Sequence, residues 1–553
     1  WLVSDIWRIL LQPFGVDRIA LTVSENAQPF LVDWISQISK ILFWLSFCGM
    51  ALLGMELGNK IDGKNKKTFF SISWILLILG ILFTRYAPSS ALNGETFSSS
   101  LIYLGGLTLF LITCIWTYFK EGLTNKIELD SQLILFASLI LLSVVSIRSA
   151  SRVFFFIVPF ACLASSFFIF KIYQYWRNNK DDIIRFFLIL ILILSIIGSA
   201  FILFNSFGTI STQAKLTGPS AHPQWQQAMS WVRDNTPTNS IFVHWWDYGY
   251  WVQYLGERPT ITDGGHGNSY WDHLIGRYVL TTQNPYSALA FMKAHNVSYL
   301  LIDQTDLGKY PAYSKIGGDK DYDSFSILNI GLVNNQQVSE TKDSIIYPYN
   351  FGGIVDEDII YDNNGSEIFI PGPKYNKIGT PSFNAYMVGI ILKITNETFE
   401  QPEAVFIYNN KQISIPLRYI YFQGNILDFY TGLDAVAYTL PQINPTQTGG
   451  INVDPFGAMI YLSPKVSKSL FSQLYLMNNA FGTYPTITLA HSEQDMIVKN
   501  INSQGGNLNE MVYYQGFRGP IKIFKVDYPE GFPTIKEFTN TSGEYAELDY
   551  LFD

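Results

Sequence analysis

Six apolar runs constrain this 553-residue chain more than any other feature. They lie at 34–57, 69–86, 101–119, 133–147, 153–173 and 184–205, and a helix needs about 20 apolar residues to cross a hydrocarbon core. Inside a bilayer every backbone polar group must be paired within the protein, which favours helices. Residues 33–206 therefore predict a transmembrane domain of about six helices, the fourth of them short. The loops set an orientation. One carries Lys60, Lys64, Lys66 and Lys67, the next basic one Lys120 and Lys126, and the third Lys171, Arg177 and Lys180, whereas APSSALNGETFSSS has no Lys or Arg. Basic loops stay in the cytoplasm. Residues 1–32 and everything after the last run are then expected on the extracytoplasmic face of a multi-pass integral cell-membrane protein. Arg148 and Arg152, in IRSASRVFFF, stand at that face against the rule. Two readings stay open for them: a tolerated short loop, or a site that holds an anion.

Beyond residue 205 the composition turns to Asn, Asp, Gly, Pro and Tyr. A net charge of -8 without a basic stripe argues against nucleic acid as a partner. Cys48, Cys114 and Cys162 all lie in apolar segments, so the polar half has no thiols for a disulfide framework. In HPQWQQAMSWVRDNTP, Trp225, Ala228, Met229 and Val232 recur at helical spacing. SIFVH then reads as a buried strand, two helical stretches follow, and VSYLLID reads as a second buried strand. That order predicts an α/β core over 207–340, with ligands gathering at the carboxyl ends of its strands. Alternating runs such as AVFIYNNKQISIPLRYIYF and PIKIFKVDY make 341–553 a β-rich peripheral region. The fold class is thus a multi-pass α-helical membrane domain followed by an α/β extracytoplasmic domain with β-rich modules.

Three polar stretches fall on one side of the predicted membrane. LTVSENAQPF carries Glu25, before the first crossing. HWWDYGYW follows the first strand, and IDQTDLGKYPAYSKIGG, with Asp303, Asp306 and Lys309, follows the second. Each has a plain structural account: a solvated loop acid, an aromatic knot with Asp247 capping a turn, and a local Asp306–Lys309 ion pair. Adjacent tryptophans at a strand end are nonetheless uncommon, because a buried indole N–H wants a partner. An acid among such donors makes a small polar pocket for a hydroxyl or an amide. The six histidines show no metal-ligand spacing, and His244 and His266 read as structural or as supports behind the site residues.

Taken together, the stretches resemble the oligosaccharyltransferase catalytic subunits, membrane enzymes that glycosylate Asn in Asn-X-Ser/Thr. WWDYG is similar to the family signature, TVSE at 22–25 to its external-loop motif, and Asp306-x-x-Lys309 to its DK-type motif, whose last position is Tyr313 or Ile316. Arg152 in RVFFFIVP resembles the family's transmembrane Arg, with Arg85 and Arg148 as alternatives, and ERPTITDGGHGN resembles the archaeal type. The resemblance implies a GT-C-type membrane domain and a lipid-linked oligosaccharide donor of the dolichol type, on a phosphate or pyrophosphate carrier. It implies that Trp245, Trp246 and Asp247, with Tyr248 and Gly249 of the same signature, bind the +2 hydroxyl of an acceptor polypeptide. Asp306, Lys309 and Ile316 line that pocket, Glu25 contacts the acceptor amide and a Mg²⁺ or Mn²⁺ ion, and Arg152 stabilises the leaving phosphate. The family's other metal-binding acids lie upstream of TVSE, so the chain, which opens at Trp1, is expected to be N-terminally truncated and inactive alone. A different class, a non-catalytic membrane-anchored sugar- or peptide-binding protein, is the alternative. The chain has sequons of its own at Asn296, Asn364, Asn396 and Asn540; Asn296, against the second strand, is expected to be buried.

Overall fold

The structure is a computed structural model that describes residues 18, 27–61, 63–121, 130–148, 150–363, 365–375, 381–445 and 450–552. The chain divides into two compact units, Trp1–Gly218 and Pro219–Asp553.

The first unit is helical. Its helices are α1 Leu31–Ile38, α2 Lys40–Asn59, α3 Lys64–Phe83, α4 Phe97–Glu121, α5 Ser131–Ile147, α6 Phe154–Asn178 and α7 Asp182–Leu216. Five helices (α2, α3, α4, α6 and α7) are long and apolar enough to cross a membrane, and α5 is the short apolar one. The apolar run at 34–57 is not one helix: the chain breaks at Ser39, which has φ 77°, between α1 and α2. Interior contacts join Trp34, Leu53, Trp74, Ile78, Ile140 and Ile157. Outward faces stay apolar, as in Phe155, Phe186, Leu194 and Phe204, which suits a lipid solvent. The last helix does not stop with its apolar run. It continues to Leu216 because Gly218-Pro219 is the first strong breaker it meets.

The second unit holds two main sheets. Helix α8, Pro223–Asn235, buries Trp225, Ala228, Met229 and Val232, the stripe expected from spacing. Strands β1 Ile241–Val243 and β2 Val297–Ile302 pair in parallel. Between them run α9 Gly249–Tyr254, α10 Ser269–Ile275, a π-turn at Gly276–Leu280 and α11 Pro285–Ala294. Helix α12, Asp306–Gly317, leaves β2. Two distant strands complete this sheet: β3 Ile487–Glu493 and β4 Ile521–Val526, in the order β1-β2-β4-β3. PIKIFKVDY, expected at the periphery, thus supplies a central strand, with Leu300 opposite Phe524. The physical reason is that β2 is buried on both faces and needs a neighbour on each edge. Local alternation reports that a strand exists, not which sheet it joins. Among the described residues a twelve-stranded sheet occupies most of 329–518, over a core containing Phe351, Ile390, Phe406, Ile420 and Met459. Asn296 is exposed rather than buried, on a turn with φ 53° just ahead of β2.

Candidate functional site

Because β1 and β2 are adjacent and parallel, with Val243 opposite Leu300, their exits lie at the same end of the sheet. HWWDYG leaves β1 as a 3₁₀ turn, Trp246–Tyr248, that runs directly into α9. Gly249 sits where a side chain does not fit: an added Cβ would lie 2.4 Å from Asp263 Cβ and 2.6 Å from Thr262 O. The loop around Asp263 therefore leans directly on the signature turn. Tyr248 is buried, stacked on Trp225 of α8 at 5.1 Å.

The second exit brings Asp303, Thr305, Asp306 and Lys309 to that turn. Tyr248 OH donates to Asp306 Oδ1 at 2.8 Å and shares a 2.8 Å hydrogen bond with Thr305 Oγ1. Asp306 Oδ2 accepts the Asp303 N–H at 2.9 Å, and Asp303 Oδ2 accepts both the N–H and the hydroxyl of Thr305. Asp306 is 1% exposed, and burial pushes its carboxyl up to about 7 despite the nearby charge of Lys309. Lys309 does not make its ion pair with Asp306. Its Nζ lies 3.0 Å from Asp247 Oδ2, donates to Tyr248 OH at 3.2 Å and sits over the Tyr248 ring. The i,i+3 spacing alone would allow an Asp306–Lys309 contact, but both Asp306 oxygens already accept from Tyr248 OH and the Asp303 N–H, and Asp247 offers Lys309 a carboxylate at the partly exposed edge.

Exposure sorts the expected residues. Asp247 and Lys309 are each 29% exposed at their side chains, and Trp246 is half-buried. Trp245, Tyr248, Gly249, Asp306 and Ile316 are buried. Trp245 packs on Tyr313, and Ile316 is held through its carbonyl by His273 Nδ1. The Trp246 indole N–H is buried without a partner among the described residues, and such donors are rare in folded proteins. Glu25 lies outside the described residues. Spacing gave no sign of the contacts of His266, whose ring meets Trp246 at 4.3 Å and whose Nδ1 pairs with Asp272.

In the helical unit, Gln28 O accepts from Arg85 Nη2 at 3.1 Å, and the Gln28 side chain donates to Arg148 O. Ser151 N donates to Ala27 O at 3.0 Å. The segment just after TVSE is thus laced to all three turns that carry the candidate arginines. Arg152 is exposed on a 3₁₀ turn, whereas Arg148 Nη1 is buried without a partner among the described residues.

The family match falls on the signature stretch. Residues 238–349 match the STT3/PglB/AglB core domain. The dolichyl-phosphooligosaccharide-protein glycotransferase 1 of Pyrococcus furiosus is 36% identical over 96 residues, 17% of this chain and 10% of that protein. The Pyrococcus horikoshii protein of the same name is 34% identical over 110 residues, 20% of this chain and 10% of its own length. The Archaeoglobus fulgidus oligosaccharyltransferase in its apo form aligns over 90% of this chain and 65% of that one, at TM-score 0.38 and 11% identity, too low to establish a shared fold. Residues 238–349, which bear the signature, are thus similar to the STT3/PglB/AglB core domain, and the chain is similar over 96 and 110 residues to the two Pyrococcus glycotransferases, of which it covers 10% each.

Proposed function

We propose that the protein is an oligosaccharyltransferase catalytic subunit, transferring a glycan from a dolichol-type phosphate or pyrophosphate carrier to Asn in Asn-X-Ser/Thr. The observation that carries this reading is the Asp247–Lys309 pair, 3.0 Å apart where the chain leaves two adjacent strands, with Asp247 on the same turn as the Trp246 indole N–H, which has no partner among the described residues. Asp247 accepts the hydrogen bond of the +2 hydroxyl, Lys309 orients it, and Trp246 supplies a wall and a donor. Trp245, Tyr248, Asp306 and Ile316 work from behind that surface as its support. Holding the sequon this way positions the Asn amide for reaction. Its nitrogen attacks the anomeric carbon, the bond from that carbon to the phosphate oxygen breaks, the amide loses a proton, and the carrier phosphate leaves.

Negative charge gathers on that phosphate, and a preplaced cation is the effective answer. Of the candidate arginines, Arg148 has a buried donor without a partner among the described residues, which favours it over Arg152 for this role; Arg85 is tied to the Gln28 and Asn93 carbonyls. Among the described residues no three His, Cys, Asp or Glu side chains converge, and Asp247 is already paired with Lys309. The Mg²⁺ or Mn²⁺ ion that the resemblance implies would be held by Glu25, which lies outside the described residues, and would assist departure of the phosphate. The alternation of basic loops supports an extracytoplasmic place for the second unit.

Asp247→Ala in the full-length enzyme tests the proposal. Transfer to a labelled Asn-X-Thr peptide should be abolished while binding of extracted lipid-linked glycan persists. Unchanged peptide affinity in that variant would sink the role of Asp247.

A further inference from the structure

His266 stands in a conformation that needs a reason. Its φ is 49°, in the left-handed region that few side chains adopt without compensation. Compensation is visible on three sides. Its backbone N–H closes a turn onto Asp263 O at 3.1 Å. Its Nδ1 lies 2.8 Å from Oδ2 of Asp272, a carboxylate 1% exposed on α10. Its ring meets the Trp246 indole, with centroids 4.3 Å apart and planes inclined by 59°. The histidine itself keeps 25% of its side chain exposed, so a buried acid fixes one nitrogen while the ring backs a wall of the cleft.

The charged groups that act on it most strongly are acids. Asp272 faces it from α10, Asp247 from the signature turn and Asp263 from its own loop. The Asp272 hydrogen bond comes first among the influences that raise its pKa, against the opposing effect of burial. An imidazolium here lies against the Trp246 ring, which attracts cations, and within electrostatic reach of the carboxylate already paired with Lys309.

We propose that His266 is a positioning residue of the acceptor pocket, holding the Trp246 indole in place and, when protonated, adding a second cation beside Asp247. The inference rests on the reading of that pocket as the sequon site. A group whose folded pKa is raised keeps its charged-state contribution at low pH and loses it as pH rises through the raised value. Acceptor binding should therefore weaken on the alkaline side of the histidine range, in affinity rather than in the chemical step.

The test measures the dissociation constant of a labelled Asn-X-Thr peptide on the full-length protein across pH, beside the same peptide with Ala at +2. The wild type should prefer Thr and lose roughly fivefold in affinity as the histidine deprotonates, the scale of one modest charge contact. His266→Phe keeps a ring against Trp246 and should hold the weaker affinity at every pH. Asp272→Asn should move the step to lower pH, and His266→Arg should keep the tighter binding at alkaline pH. Tryptophan fluorescence gives a readout free of the peptide: a pH-dependent quench present in the wild type should vanish in His266→Phe and in Trp246→Phe. A wild type indifferent to Thr or Ala at +2 would remove the sequon pocket itself, and this role with it. A wild type that discriminates but binds independently of pH, or a His266→Phe protein that keeps the step, overturns the role of His266 alone.

Discussion

Two turns leave neighbouring parallel strands at the same end of one sheet, and they use their acids in opposite ways. After β1, Asp247 stays partly exposed and takes its countercharge from Lys309 on the other turn. After β2, Asp306 is buried, accepts from Tyr248 and the Asp303 amide, and is driven toward its neutral form by desolvation. One acid is presented and the other builds the platform. The difference teaches that proximity of a carboxylate to a signature does not make it a contact: burial and the partners already in place decide what remains for a ligand. Asp306 has none of its oxygens free among the described residues, whereas Asp247 retains a solvent-facing edge.

The contrast can be broken experimentally. Asp306→Ala should be the most damaging change, leaving Tyr248 OH and the Asp303 N–H short of a buried partner at a cost of about 3 kcal/mol. A thermal or denaturant unfolding curve that barely moves would show that Asp306 is not structural. Gly249→Ala comes next: the new methyl collides with Asp263 and the Thr262 carbonyl, and about 2 kcal/mol of stability should go with it. The same unfolding measurement checks it, together with displaced Trp246 fluorescence. Lys309→Met attacks the presented acid instead. It should leave the fold intact and weaken sequon peptide binding about tenfold, near 1.4 kcal/mol, by releasing Asp247 from its partner. A large stability loss there would mean that both turns are scaffold.

The smallest expected effect sharpens the comparison through pH. The Asp306 carboxyl is raised to about 7 in the folded state. Its protonation therefore adds stability that is complete below the ordinary carboxylate range and is lost as pH rises through about 7. Asp306→Asn, which stays neutral, should flatten the stability profile across that window. An unaltered profile would assign the window to another group, with buried Asp303, raised in the same direction, as the first to examine.

Much of this was legible from residue order. The stripe Trp225, Ala228, Met229 and Val232 announced α8, and VSYLLI announced a buried strand, because side-chain periodicity follows directly from backbone geometry. The pairing of Lys309 with Asp247 was not legible, since 62 positions separate them in the chain and no local pattern encodes that approach. His266 reads as a structural or supporting histidine, but its partners were not legible: the Trp246 ring and the Asp272 carboxylate meet it in the folded chain, where the Asp263 loop closes onto the turn at Gly249.

By itself the sequence determined where the apolar helices run, that an α/β element follows them, and that WWDYG stands at a strand exit beside acids and indoles. These are consequences of composition and period, which short stretches carry whole. Tertiary structure alone decided that β4, from near the far end of the chain, lies beside β2, that Asp306 faces inward while Lys309 faces Asp247, and that Asn296 is exposed. Burial and ion pairing are properties of what surrounds a side chain, and those surroundings come from residues far away in sequence.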